Sequence, residues 1–583
     1  MKYNLVSTKV EEVTSTSEEL LLLDHFCLDD LVGNYINKNY NVVKSYGYDE
    51  KIMKNDFEIV KKFASSFMIE LSKVLNENHK INYSNRQWQI LLSFWLHRTI
   101  TILFNRFNKI EKTFNENIIS SVTLYKNEIN DLISFKTSDI SDNSRILYWN
   151  NIIYDEIIKF KKIDVKINYI QNKIKEHSFY INQNSLLKKS KAFIKNLINQ
   201  FNKKNIENSI SFIFESYLPK EENEKLIKYY KQPNIYLPDY TPDNNIDYEL
   251  RDKLSSKLDK KVNSEFEKFV KKIFFKLFPV CYLENFNDLK SKCDDAILPI
   301  NPKFIFTSNA FDTNELFKMY VCKKINNTKY FAGQHGGATP IWNYGVIDTY
   351  LFDHVDGFFN WGWENKGKNY SSFLLPKLST KKKMNKNSKK ISLMLRPVMH
   401  QNVTWDRYQE VLLSFKKNAE FIKDCKKFDF NKKLFIRGYP RVSCKLNNRD
   451  NWKKYVKIKN YDDGDIPFDE YKDDCELNIF PCESTGFFQL ININKPAIIL
   501  FHSFDKDIKD NYKNDFKKLA EVGIIHFENE TLINHLNNIY QDIPKWWNSS
   551  SVQEKLKPFM EKYASNKKDY NFLIEKMHFQ ELS

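Results

Sequence analysis

Two short segments carry residue types that could hold an anionic group and act on it. The first is Gly333-Gln334-His335-Gly336-Gly337, in a chain that has only 13 glycines among 583 residues. Glycines let the backbone approach a ligand closely and leave amide N–H groups free to bind anionic oxygens. The imidazole of His335 could donate to a phosphate or to a leaving group. The alternative is a glycine turn whose histidine only satisfies a carbonyl.

The second segment is Glu483-Ser484-Thr485-Gly486, directly before a helix predicted at 485–493. Hydroxyl groups together with the first free N–H groups of a helix form an anion site. Glu483 could accept hydrogen bonds from a ribose or another sugar. Ser and Thr are also the preferred caps of helix N-termini, so a plain cap is the alternative interpretation.

Two arginines stand out because the chain otherwise relies on lysine for its positive charge. Arg396 follows a predicted strand, Ile391–Leu395, and Arg437 ends a predicted strand at Leu434–Arg437. A guanidinium group binds phosphate or carboxylate in a bidentate manner that lysine cannot reproduce. A surface salt bridge is the alternative for each.

Acidic residues supply a third set. Asp312 follows a predicted strand at Phe304–Thr307, and Asp462, Asp463 and Asp465 lie in the sequence YDDGD. A carboxylate could act as a general base or as a nucleophile, although YDDGD is also typical of a polar turn. No acidic pair stands in a convincing metal-binding context, so we predict no essential metal and no cofactor.

These segments are placed by the elements that precede them. After about residue 300, short apolar runs alternate with helical segments, which is typical of parallel sheets with helices on their faces. Ligands of such sheets bind at the carboxyl ends of the strands. GQHGG follows a predicted strand at Lys329–Ala332, and Glu483 follows another at Leu477–Phe480.

The earlier part of the chain has a different pattern. From about 50 to 275, apolar residues recur at three- and four-residue spacing, which predicts mainly helices. These helices are predicted at 57–76, 86–111, 117–134, 165–200 and 263–277, whereas 232–250 is predicted to be a loop.

Four regions follow from this organisation, in an α/β chain. They are an N-terminal domain at 1–376, a lysine-rich linker at 377–390, a doubly wound C-terminal domain at 391–543 and a helical tail at 544–583. The neutral interpretation of the linker is a solvated joint, and the alternative is an arm for nucleic acid.

The net charge of +16 suits an anionic partner, but it also fits a lysine-rich composition spread evenly over the chain. No run approaches the roughly 20 apolar residues of a membrane span. We predict a cytoplasmic protein. Peripheral contact with the anionic inner face of the cytoplasmic membrane is an alternative that the sequence leaves open. No signature of a nucleic-acid-binding module is present, so no nucleic-acid partner is predicted.

Six segments, in this order, resemble a group of bacterial transferases associated with O-antigen and surface carbohydrate biosynthesis. They are RQWQILLSFWLHRTITILFNRF (86–107), NPKFIFTSNAF (301–311), GQHGG (333–337), NWGWE (360–364), ESTGFFQLININKPAII (483–499) and KWWNSSSVQEKLKPF (545–559). QHGG paired with WGW is fairly specific to such proteins. The EST element is also shared with teichoic-acid-type and capsule Kdo transferases. Relatives tend to carry further glycines where this chain has Ala338-Thr339-Pro340.

The resemblance implies a GT-B fold, in which two Rossmann-like domains face a cleft, with a large helical insertion in the N-terminal half. The donor nucleotide would lie mostly in the C-terminal domain. The tail would cross back onto the N-terminal domain, and the loops 334–337 and 483–486 would face one cleft.

The activity that the resemblance implies is transfer of a sugar from a nucleotide-activated donor, for which a CMP-linked acidic sugar is one candidate, to an oligosaccharide or lipid-linked acceptor. His335 would stabilise the leaving phosphate, Glu483 would bind a donor hydroxyl, and Asp312 is the candidate base. The predicted nucleotide-sugar-binding residues are Gln334, Gly336, Gly337, Arg396, Arg437, Glu483, Ser484, Thr485 and Gly486. The alternatives are a CDP-alcohol phosphotransferase and a non-catalytic scaffold that binds carbohydrate or nucleic acid.

Overall fold

The computed structural model describes most of the chain. The described residues are 2–13, 18–24, 27–28, 40–44, 46–47, 49–172, 186–259, 261–337, 341–345, 351–362, 369–370, 389–395, 411–438, 452 and 460–564, with the side chains of 186–193, 369–370 and 411–416 excepted.

The described strands form three sheets, and the strand pairs in each of them are parallel. The first sheet has the order β3-β2-β1-β4-β5, which is the Rossmann strand order. Its strands are β1 Tyr3–Val6, β2 Glu19–Leu22, β3 Tyr40–Val42, β4 Ile119–Tyr125 and β5 Lys166–Ile170.

The second sheet has the order β10-β9-β8-β7-β6. Its strands are β6 Ser211–Ile213, β7 Phe304–Thr307, β8 Lys329–Gly333, β9 Gly357–Phe359 and β10 Asn369–Tyr370. The third sheet has the order β13-β12-β11-β14-β15-β16, again the Rossmann order. Its strands are β11 Lys390–Met394, β12 Leu434–Arg437, β13 Tyr461–Asp462, β14 Cys475–Phe480, β15 Ala497–Leu500 and β16 Ile525–His526.

Helices connect these strands. In the first two sheets they are α1 Glu50–His79, α2 Asn85–Glu116, α3 Ile140–Asn143, α4 Leu147–Lys161, α5 Leu186–Phe201, α6 Lys203–Glu207, α7 Lys220–Tyr229, α8 Tyr248–Lys257, α9 Glu265–Ile273, α10 Phe286–Asp295, α11 Ala310–Thr313 and α12 Glu315–Lys324. The remainder are α13 Val411–Cys425, α14 Phe468–Tyr471, α15 Thr485–Asn492, α16 Phe504–Asp507, α17 Asp510–Ala520, α18 Asn529–Ile539, α19 Ile543–Trp547 and α20 Ser550–Tyr563. No helix of the described part is long and apolar enough to cross a membrane.

Helix α2 joins the first two sheets. A capping box between Ser84 and Gln87 fixes its start. Gln87 Nε2 donates to the carbonyl of Cys322 in α12 at 3.0 Å, and Arg106 Nε donates to Asn150 Oδ1 in α4 at 2.8 Å. Because α4 lies between β4 and β5 and α12 between β7 and β8, one helix packs against elements of both sheets. A single apolar cluster accordingly includes residues from both sheets.

The third sheet has separate apolar clusters on its two faces. The tail helices α19 and α20 complete one of them through Trp547, Leu556 and Tyr563. Trp342 and Trp361, which flank β9 in sequence, belong to the same cluster. The predicted crossing of the tail back onto the N-terminal domain stays a prediction, since 565–583 lie outside the described residues.

The α/β class with parallel sheets is confirmed, and several strands match their predicted bounds, among them Phe304–Thr307 and Leu434–Arg437. Two helix predictions are wrong. The range 117–134 contains β4 and a short 3-10 turn, and the range 165–200 begins with β5. The helix-rich region from 50 to 275 therefore also holds strands of two sheets.

Some predicted features lie outside the described residues. They are 377–388 of the linker, Arg396 and Ala338-Thr339-Pro340.

Candidate functional site

The polar loops of the second sheet gather at one edge. Glu215-Ser216-Tyr217 follows β6, Ser308-Asn309 follows β7, and Gln334–Gly337 follows β8. The strands are parallel, so the loops that follow them lie at the same carboxyl edge.

The two glycine- and hydroxyl-bearing segments of the sequence are in direct contact. The N–H of Gly337 donates to Thr485 Oγ1 at 2.9 Å, across 148 residues of sequence. A Cβ added at Gly336 would lie 2.9 Å from the same oxygen, so a side chain there would displace Thr485. Trp342 Nε1 donates to Glu483 Oε1 at 2.7 Å. The carboxyl edge of the second sheet therefore faces the segment that follows β14 of the third sheet, a GT-B-like arrangement.

Gln334 shapes the loop from inside. Its side chain is buried, its Oε1 accepts from the N–H of Trp361 at 3.1 Å, and its Nε2 donates to the carbonyl of Gly337. The amide group is thus occupied within the protein. Gln334 holds the glycine loop against β9, which differs from the predicted contact with a nucleotide sugar.

His335 lies above Tyr217, with ring centroids 4.1 Å apart. Tyr217 and Glu215 have φ angles of 61° and 47°, in the left-handed region that residues with a side chain rarely adopt. Strain of this kind persists only where surrounding contacts enforce it, and it concentrates at functional loops. The sequence offered no signal for this loop, because the three-residue strand β6 before it was not recognised.

Glu215 is a further carboxylate at this edge. Its Oε2 accepts from Asn309 Nδ2 at 3.1 Å and from Thr313 Oγ1 at 3.3 Å. Glu215 as a whole is exposed, but partial burial of its carboxylate raises its pKa above the ordinary value, and these two hydrogen bonds offset only part of that rise. A carboxylate with a raised pKa can accept a proton and return it at a pH nearer neutrality.

Asp312 is held differently. Arg98 Nη1 and Nη2 donate to its two carboxylate oxygens, each at 2.7 Å. Burial alone would raise the pKa of Asp312, but the Arg98 guanidinium outweighs it and holds the pKa below its ordinary value. A carboxylate paired in this way is a weak base, so the geometry favours a positioning role over the predicted catalytic one.

Ser484 and Thr485 begin α15. The Ser484 hydroxyl accepts from the N–H of Phe487 at 3.4 Å, which is the cap that the alternative interpretation predicted. Thr485 makes the contact to Gly337, and Gly486 follows in the first turn. A cap and an anion site are compatible, because the N-terminal amides still point along the helix axis towards the cleft.

Arg437 is engaged elsewhere. Its Nη1 donates to Asp462 Oδ1 at 2.9 Å, its Nη2 donates to the carbonyls of Gly464 and Ile466, and its guanidinium lies 3.9 Å from the ring centroid of Tyr471. These contacts anchor the YDDGD turn. The hydrogen bonds described for Arg437 do not reach the loops 334–337 or 483–486.

Gly333, at the end of β8, is a position where a side chain does not fit. A Cβ there would lie 2.4 Å from Ser308 Oγ and 2.8 Å from the Phe306 ring. We expect Gly333→Ala to lower the free energy of unfolding by about 1–3 kcal/mol, as overpacking does in cores. Urea denaturation measures the loss. Adding Ser308→Gly should recover part of it, and equal losses in the single and double variants would contradict the steric explanation.

Known proteins resemble this chain at the level of solved structures and at the level of a sequence family. Among solved structures, similarity is found to a protein from Listeria monocytogenes described as a UDP-N-acetylglucosamine 2-epimerase, with 9% identity, a TM-score of 0.34 and coverage of 54% of this chain and 86% of that one. The wall teichoic acid polymerase TagF is 13% identical with a TM-score of 0.31, and the match covers 67% of this chain and 98% of that one. The spinosyn rhamnosyltransferase SpnG is 11% identical with a TM-score of 0.26, and the match covers 51% of this chain and 80% of that one. At such low TM-scores, none of these likenesses bears on function.

No curated protein matches the sequence. A family of transferases does match, and the match covers residues 3–577, which include every loop described above. The chain therefore belongs to the LIC12162 family of transferases.

Proposed function

We propose that the protein is a GT-B-type glycosyltransferase that moves a sugar from a nucleotide-activated donor to an oligosaccharide or lipid-linked acceptor. The single observation that supports it best is the contact between Gly337 and Thr485, because it joins the two loops that are candidates for phosphate binding, one after β8 and one after β14. Such loops are where nucleotide phosphates bind in parallel α/β proteins. The proposal includes catalysis without a metal, at the cytoplasmic side, for bacterial surface polysaccharide synthesis.

The amides of Gly336 and Gly337 and the start of α15 would hold the donor phosphates. His335 would stabilise charge that develops on the leaving phosphate, as a donor aimed at that position. Glu483 is buried beside Trp342 and would orient a donor hydroxyl through its carboxylate. The donor would thus lie between the second and third sheets.

Glu215 replaces Asp312 as the proposed base. Its raised pKa makes the carboxylate a better proton acceptor than one paired with arginine. A base must be deprotonated, so activity should fall as the pH is lowered through the raised pKa of Glu215. The nucleophile would be a hydroxyl of the acceptor.

A thermal-shift screen of the full chain tests donor binding. CMP, UDP, GDP and dTDP sugars are compared with the free nucleotides and with CDP-alcohols. A bound donor at a hundredfold excess over Kd should stabilise the folded protein by about 2.7 kcal/mol. Thr485→Val, which removes the hydroxyl and keeps the shape, should reduce the shift. If no nucleotide or nucleotide sugar stabilises the protein, the proposal fails.

Product analysis with the stabilising donor, in the presence of EDTA, identifies the reaction. A new glycosidic bond is expected. A new phosphodiester would instead show a phosphotransferase, and donor binding without any product over a panel of acceptors would favour a scaffold.

A further inference from the structure

Helix α5 exposes the side chains that a surface helix normally buries. Ile194, Leu197, Ile198 and Phe201 are 57%, 42%, 46% and 88% exposed, respectively. Their spacing of three, one and three residues places them on one face of the helix. A stripe of this kind ordinarily faces a core, so an apolar face turned outwards requires an explanation.

The opposite face of α5 is the one that is anchored. Asn199 is buried, its Nδ2 donates to the carbonyl of Tyr236 at 2.7 Å, and its Oδ1 accepts from the N–H of Tyr236 at 3.1 Å. Lys195 Nζ lies 4.9 Å from the centroid of the Tyr236 ring. Ile206 of the next helix, α6, is fully buried. These contacts fix the rotation of the helix and hold its apolar face towards solvent.

The segment that carries this face is rich in lysine in the sequence. Between residues 186 and 207 the sequence has six lysines and a single acidic residue, Glu207. Lys203 and Lys204 follow Phe201 after one intervening residue, and the Lys203 side chain, which pairs with Glu207 at 3.8 Å, is 56% exposed. Lysines beside an apolar helix face are the pattern of helices that lie in the interface of an anionic bilayer.

We propose that the outward apolar face of α5, with the lysines that flank it, docks the protein on an anionic lipid surface. The four apolar side chains would enter the acyl boundary, and the lysine heads would remain among the anionic headgroups. Charge complementarity favours this occupant over a second copy of the chain, because a second copy would bring another lysine-rich face. The proposal does not rest on the proposed reaction.

The docking face is remote from the candidate site. α5 and α6 lead into the amino end of β6, whereas Glu215 and Tyr217 follow its carboxyl end. Ile300, which is also exposed, lies beside α6, since its N–H donates to the carbonyl of Glu207 at 2.9 Å. Changes to the docking face should therefore leave donor binding in the thermal-shift assay unchanged.

Vesicle flotation of the full chain tests the docking. The protein should float with vesicles of phosphatidylcholine and phosphatidylglycerol, should not float with phosphatidylcholine alone, and should be released by salt. Ile198→Ser with Phe201→Ser should weaken binding about tenfold or more. Ile52→Ser with Ile69→Ser is the matched control, because it removes two exposed isoleucines from α1 and should bind as the unaltered protein does.

Two results would overturn the proposal. One is equal flotation of the α5 variant and the unaltered protein, which would assign binding to another surface. The other is a lack of flotation together with a dimer in light scattering that the α5 variant abolishes, which would assign the face to a second copy.

Discussion

His335→Ala should lower the transferase rate about 10²–10³-fold, which is the usual cost of removing one donor aimed at developing charge. His335 directly precedes Gly336 and Gly337, whose amides are proposed to hold the donor phosphates, and Gly337 contacts Thr485. Its ring makes a tilted contact with the exposed ring of Tyr217, hence its loss should change the stability of the fold little. Rates are measured with the donor identified by thermal shift, and unfolding is measured in parallel.

Two companion variants sharpen that experiment. His335→Gln keeps a donor but cannot titrate, so it should retain more activity than the alanine variant if the role is hydrogen bonding to phosphate. Tyr217→Phe keeps the ring contact and should stay near the unaltered rate. An alanine variant as active as the unaltered protein would remove His335 from the mechanism.

Asp312→Asn should lower the free energy of unfolding by roughly 2–4 kcal/mol, somewhat less than removal of one partner from a fully buried pair. The Arg98 and Asp312 side chains are only 14% and 20% exposed, and the substitution leaves the guanidinium without its bidentate partner. Asp142→Asn is the matched control. Its partner is Arg145, its side chain is 54% exposed, and its loss should cost less than about 1 kcal/mol.

The stability difference between the unaltered protein and Asp312→Asn should depend on pH in a defined direction. The folded-state pKa of Asp312 lies below its ordinary value, so the stabilisation is present above the unfolded pKa. It is lost as the pH falls through the folded pKa, because both states then carry a protonated carboxyl. The unaltered protein and Asp312→Asn should therefore converge in stability in acid. A gap that persists at low pH would show that packing, not charge, sets the effect.

Strands that are short, apolar and buried on both faces could be predicted from sequence alone. Leu434–Arg437 and Phe304–Thr307 are such strands, and both lie at their predicted positions. The local pattern of β4 predicts a helix, because its sequence, ISSVTLY, mixes serine and threonine with apolar residues at a spacing of three. Its pairing with β1 and β5, which are distant in sequence, outweighs any local preference.

In the candidate site, too, local features could be predicted from the sequence and long-range contacts could not. The GQHGG and ESTG loops could be placed at strand ends from local pattern, and the structure brings them together. The partners of Asp312 and Arg437 cannot be predicted from local pattern. Arg98 lies 214 residues from Asp312 in sequence, and the Tyr471 ring meets the Arg437 guanidinium only in the folded structure. Glu215 and Tyr217 cannot be recognised from the sequence, because a left-handed backbone on non-glycine residues has no clear mark there.

The position of α2 determines how the chain can be divided. Its hydrogen bonds to α4 and α12, and the ion pair of Arg98 with Asp312, connect residues 85–116 to both the first and the second sheet. A shortened protein that began at β6 would expose the apolar face of α12 and leave Asp312 unpaired. The first two sheets therefore constitute one cooperative folding unit, and the natural place for a modular boundary or an inserted tag lies after that unit, not between its sheets.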